Sequence, residues 1–190
     1  CGEETDNDPA WLAADLLSQA EHDPAAQAIL ITDSAALANA VAAAVDALIA
    51  RLPTGATARQ SWDDQGAIIL VERLADAIPL VNRLAPEHLE LAVGDPAALF
   101  AQVRHAGSIF LGRHTPEAVG DYVGGPNHVL PTGRRARFAS GLSVTDFMKR
   151  TTFLECSEAA LAAIGPAART LAEAEGLMAH AESIRVRLGS

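Results

Sequence analysis

Four short apolar runs, each set off from the next by a helix-length stretch, confine this chain to one broad architecture. The runs are Ala28–Thr32, Ala67–Val71, Leu89–Val93 and Gly107–Gly112. Between them apolar residues recur at helical spacing. Trp11, Leu12, Leu16 and Leu17 mark a helix over 10–22, stopped by Pro24. Asp33-Ser34 offers a cap for an alanine-rich helix over 35–51, and helices follow over 72–85 and from Asp95-Pro96. Strands separated by helices pair in parallel through crossovers, which cover both faces of the sheet. The sequence therefore predicts a parallel, Rossmann-like α/β sheet with helices on both faces over 1–145, then a small helical C-terminal extension over 146–190.

Beyond Arg113 the texture changes. Residues 120–143 carry glycine, proline and arginine without periodicity, and a loop of that length is usually functional or disordered. A short helix near 143–149, a strand-like Thr151–Leu154 and helices over 158–188 complete the chain.

The 190 residues are 49% hydrophobic, enough for one sizeable core. A net charge of −10 argues against a nucleic acid partner. No apolar stretch approaches the roughly 20 residues that span a bilayer. Two cysteines, Cys1 and Cys156, make no disulfide framework and suit the cytoplasm. Residue 1 is Cys, not Met, and Gly2–Asp8 is an acidic stretch that suits a cut in an exposed loop. A fragment is expected; a lipid-anchored N-terminal cysteine is the alternative.

Chemistry concentrates in a few places. Glu87 and His88 set a carboxylate beside an imidazole, the two side chains most easily tuned for proton transfer near neutral pH. The other reading is a solvated surface pair. Gln19 and His22 share a face near a helix end, where His22 could also simply favour the dipole. Asp121, Asn127 and His128 lie in a glycine-bearing segment that is either a ligand loop or a capped turn. Glu175 and His180 are a functional pair or part of a solvated helix face. Pooled, Gln19, His22, Asp121 and His180 offer nitrogen and oxygen donors that suit zinc or manganese. No dinucleotide fingerprint or P-loop is present.

Several of these stretches, taken together, resemble histidinol dehydrogenase. They are Ala14–His22, Asn82–Glu90, Gly107–Gly112, Thr115–Thr132 and Arg137–Phe147, in that family's order, with the likeness running from about residue 8 onward. The resemblance implies a zinc-dependent, NAD-linked oxidation of L-histidinol to L-histidine through an aldehyde, in histidine biosynthesis. By motif position Glu87 and His88 match the catalytic pair, His88 as general base and Glu87 as activator of the attacking water. Gln19, His22, Asp121 and His180 match the zinc ligands, and these four with His88, His128 and Glu175 match the contacts to substrate. The resemblance also implies a homodimer whose C-terminal segment, with Glu175 and His180, reaches the partner's site. The family's chains are more than twice this length, and the NAD-binding domain falls in the half that is missing here. The isolated chain is then expected to be inactive. The alternative is a non-catalytic metal- or imidazole-binding module, or a dimerisation module.

Overall fold

A computed structural model describes residues 1–189. It divides into two compact units, Cys1–Asp146 and the residues from Phe147 onward. The first contains α1 (Pro9–Ala20), β1 (Ile29–Thr32), α2 (Ala35–Ile49), α3 (Gly55–Gln65), β2 (Ala67–Leu70), α4 (Ala77–Leu84), β3 (His88–Leu91), α5 (Pro96–Phe100), β4 (Ser108–Leu111) and α6 (Glu117–Tyr122). All four predicted strands are there, within a residue or two of the expected limits, and the α/β class holds.

Both strand pairs are parallel. In one, Ile29 to Thr32 align with Ala67 to Leu70; in the other, His88 to Leu91 align with Ser108 to Leu111. The expected single sheet forms as two pairs joined by the first residues of the chain. Gly2 N–H donates to the Ile31 carbonyl at 3.0 Å, while Glu3 N–H reaches the Ala92 carbonyl and Ala92 N–H the Cys1 carbonyl. An extended segment at Cys1–Glu3 thus bonds to both β1 and the end of β3.

Successive strand side chains point to opposite faces, and each face has its own core. Leu30 packs with Leu12 and Leu17 of α1, Val41 and Val45 of α2 and Ala58 of α3. Its neighbour Ile31 turns the other way and joins Ile78 and Val81 of α4, with Leu89 and Leu91. Leu17, Val41, Val45 and Leu91 are essentially inaccessible. Each such side chain contributes about 1.5–3 kcal/mol when buried. Helix starts follow sequence chemistry. Asp8 Oδ1 accepts from Ala10 N–H at 2.8 Å ahead of Pro9, and Ser34 Oγ accepts from Leu37 N–H at 3.1 Å.

Four expectations need correction. Helix α3 was not foreseen, because its stretch GATARQSWDDQ is mostly polar and buries only Ala58 and Ser61. The helix expected over 72–85 opens with a 3₁₀ turn at Leu74–Asp76 and is regular only in α4. The stretch expected to be an irregular loop starts inside α6. Thr151–Leu154 forms no strand: all four residues are exposed and unpaired in any sheet, so local β preference had no edge to join.

The second unit is a helix pair, α7 (Glu158–Ala174) and α8 (Met178–Leu188), joined through Gly176 at φ +75°. The helices approach closely at Gly165, where a Cβ would lie 3.1 Å from Leu188 Cδ1 and 3.3 Å from Ile184 Cγ2. Among the described residues no helix is long and apolar enough to cross a membrane.

Candidate active site

The segment Asn82–Leu91 runs from the last turn of α4 into β3. Ala85 closes α4 in the left-handed conformation, φ 48° and ψ 61°, with its N–H on the Val81 carbonyl at 2.8 Å. Asn82 ties this corner to a neighbouring loop: its Oδ1 accepts from the backbone N–H groups of Arg104 and His105. The next residues are held from the β4 side, where Gly107 N–H donates to the Pro86 carbonyl at 2.9 Å and Ser108 N–H to the Glu87 carbonyl at 2.8 Å. A Cβ on Gly107 would sit 2.6 Å from the Glu87 carbonyl oxygen, so the clamp needs glycine.

Along β3 the alternation separates two jobs. Leu89 and Leu91 go to the core; His88 and Glu90 face a cavity of about 920 Å³. Gln19 and His22 line the same cavity from the end of α1, as do Glu87 and Asp15. Asp15 and Gln19 stand four residues apart on one face of α1, and His22 follows in the turn just past the helix end. Helix α6 closes the arrangement. It approaches through Gly120, whose Cβ would meet Phe110 Cε1 at 2.4 Å, and Phe110 in turn packs its ring 6.0 Å from that of His88.

His88 is the centre of the cluster. Its Nδ1 lies 3.3 Å from Gln19 Oε1 and 3.4 Å from Glu117 Oε1. Its Nε2 is buried, has no hydrogen-bond partner, and stands 3.7 Å from Asp121 Oδ1. Ligand atoms of His88, Glu117 and Asp121 all fall within 4.8 Å of one another. His128 Nδ1 is 3.4 Å from the Asp121 carbonyl oxygen and is exposed.

The cavity is acidic, and burial raises several of its acids. Glu90 is pushed up to about 8, first by burial and then by the charge of Asp15, with which it shares a hydrogen bond. Burial raises Asp15 as well. Glu117 rises to about 7 through burial and then the charge of Asp121. Glu87 shifts upward for the same two reasons, with His22 opposing. Burial lowers His88 below the usual imidazole range, with Asp121 partly restoring it. An uncharged His88 is the form that can take a proton.

Of the residues singled out from sequence, Gln19, His22, Glu87 and His88 share this cavity, with Asp121 against His88. Glu175 and His180 belong to the second unit, where they line a smaller cavity of about 620 Å³ with Leu171 and Ser183. Sequence reasoning missed Asp15, Glu90 and Glu117. Each had a signal: Asp15 and Gln19 are i,i+4 on a helix, His88 and Glu90 are i,i+2 on a strand, and Glu117 and Asp121 are i,i+4 after a Pro116 helix start.

The family model of histidinol dehydrogenase matches residues 3–188. The chain belongs to the histidinol dehydrogenase family. It is 69% identical over 183 residues to the histidinol dehydrogenase of Zymomonas mobilis subsp. mobilis, covering 96% of this chain and 43% of that protein. It is 63% identical over 182 residues to histidinol dehydrogenase 1 of Trichormus variabilis, covering 96% and 42%. The crystal structure of histidinol dehydrogenase from Elizabethkingia anophelis superimposes with a TM-score of 0.90 at 38% identity, over 99% of this chain and 43% of that one. The chain thus spans less than half the length of these relatives. Two of the expected metal donors, His22 and Gln19, line its cavity, while Asp121 stands by the unpartnered His88 Nε2 and groups with His88 and Glu117 as a set that could hold a cation.

Proposed function

We propose that this chain is the part of a histidinol dehydrogenase that grips L-histidinol and moves its protons during oxidation to L-histidine, with two NAD and zinc. The observation that supports this best is His88, a residue lining a large cavity, with one ring nitrogen held by oxygen atoms and the other buried and unpartnered. That lone pair takes the proton from the substrate alcohol, releases it to solvent, and takes another from the aldehyde hydrate in the second step. Glu87, adjacent in sequence and raised by burial, draws a proton from the water that attacks the aldehyde. Gln19, His22 and Asp121 would hold zinc together with His180. When bound, zinc supplies a Lewis-acidic anchor for the substrate's imidazole and amine, and NAD supplies the hydride acceptor. His128 and Glu175 contact the substrate from the loop and the C-terminal segment. His180 and Glu175 come from the partner subunit of a homodimer, and the assembly works in the cytoplasm. No residue of this chain is assigned to NAD, whose seat belongs to the portion of the longer relatives that lies outside it.

A second reading rests on the metal-capable group of His88, Glu117 and Asp121: a metal- or imidazole-binding module without chemistry. Calorimetric titration of zinc and then L-histidinol into the chain tests both readings, since each expects binding. Supplying the complementary portion of a curated relative separates them. NADH formation from histidinol supports the dehydrogenase; tight binding without turnover in a folded mixture leaves the module.

A further inference from the structure

The two nitrogens of the His88 ring stand in unlike surroundings. At Nδ1 there are two oxygens, Gln19 Oε1 at 3.3 Å and Glu117 Oε1 at 3.4 Å. At Nε2 there is no hydrogen bond at all, and Asp121 Oδ1 is 3.7 Å away. A neutral imidazole carries one proton, which settles on the nitrogen with acceptors, leaving the lone pair on the other. In the function proposed above, on which this inference rests, Gln19 and Asp121 are committed to the metal. One oxygen then remains for Nδ1.

We propose that Glu117 is the positioning residue of His88: it accepts the Nδ1–H and so leaves the lone pair on Nε2, beside Asp121. A carboxyl in this place does so ionised or protonated, because either form retains an accepting oxygen. Its own placement is fixed from three sides. Glu117 is 7% exposed, its N–H donates to Glu90 Oε1 at 2.9 Å, and Gly120 lets its helix close on Phe110, the ring beside His88. A carboxylate that orients a catalytic histidine through its second nitrogen is a general device, since it fixes both tautomer and ring angle. Glu117 touches neither substrate nor cofactor in this scheme; it acts through His88.

The tautomer can be read directly. The 190-residue chain is labelled with ¹⁵N-histidine, freed of metal, and examined by long-range ¹H–¹⁵N correlation, with H88N identifying the His88 signals among six histidines. Wild type and E117Q, which keeps an accepting oxygen, are expected to show Nδ1 protonated and Nε2 bare. Because Gln19 Oε1 is free to accept in the metal-free chain, E117L and its fallback are made in a Q19L background, itself expected to keep Nδ1–H, and E117L there is expected to shift His88 toward the Nε2–H form while remaining folded by circular dichroism. If E117L does not fold, E117D, whose carboxyl stops one methylene short, replaces it. Nε2–H in the wild type overturns the proposal, and so does an unchanged His88 pattern in a folded E117L or E117D. Zinc and histidinol titrations on the same wild-type sample keep the two readings apart. Absence of binding there defeats the proposed function, whereas the tautomer pattern bears on Glu117 alone.

Discussion

Residues 88–93 and residues 122–157 are both rich in large apolar side chains, yet only the first set buries them. Leu89, Leu91, Ala92 and Val93 are 5% exposed or less. In the longer stretch only Pro131 is buried, while Phe138 is 83% exposed, Phe153 96% and Leu154 87%. The difference is one of periodicity. A two-residue repeat gives β3 a face that the core can receive, and leaves the other face for chemistry. The later stretch has no repeat, so its apolar groups share no face that one chain can cover. Apolar surface left open in this way usually belongs to an interaction, which accords with the proposed homodimer.

The contrast can be broken in several ways. The largest effects should come from β3 itself, and they should divide by face. Leu91→Ala is expected to cost about 2–5 kcal/mol in urea unfolding, as for other fully buried leucines. A loss under about 1 kcal/mol would mean the strand is not packed as described. His88→Asn, on the other face, should leave the melting curve near wild type. In the reconstituted enzyme it should lower turnover about 10²–10⁴-fold, the range for a lost general base.

A pH titration gives the next largest effect. Glu90 titrates near 8 in the folded chain against 4.5 when unfolded. Folded protein therefore holds a proton between these values that unfolded protein has released, and stability falls as pH rises from about 4.5 to about 8. Each pKa unit of such a shift is on the order of 1 kcal/mol. Glu90→Gln should flatten that slope; a slope kept intact in the variant assigns it elsewhere.

His22→Ala should move stability little, because the residue lies past the end of α1, but it should abolish most zinc and histidinol binding by calorimetry. Wild-type zinc affinity in that variant would return His22 to the role of a helix-end cation. Smallest of all, Phe153→Ser should change the unfolding free energy of the dilute chain by no more than about 0.5 kcal/mol.

The strands were legible because Ile29–Thr32, Ala67–Leu70, His88–Leu91 and Ser108–Leu111 combine apolar runs with flanking turns, signals that tertiary packing reinforces. Helix α3 was not, since Arg59, Ser61, Asp63 and Gln65 suggest a solvated segment; two small buried residues, Ala58 and Ser61, and the half-buried Trp62 carry its packing. Thr151–Leu154 misled for the opposite reason, having the composition of a strand without a neighbour. In the cavity, Gln19, His22, Glu87 and His88 could be named from motif position. Asp15, Glu90 and Glu117 had only spacing to mark them, and acids in a sequence look alike until burial distinguishes them. Their raised pKa values come from surroundings that only the folded chain assembles.

Ala85 sits 1% exposed in a left-handed bend before Pro86, a crease that costs about 1–2 kcal/mol for any residue with a side chain. Portability is what that crease limits. Grafting only the letters Glu-His onto another protein's strand would carry over two functional groups without the corner that aims them. The smallest transferable unit is the whole of Asn82–Leu91, together with the glycine at 107 that pins it from alongside.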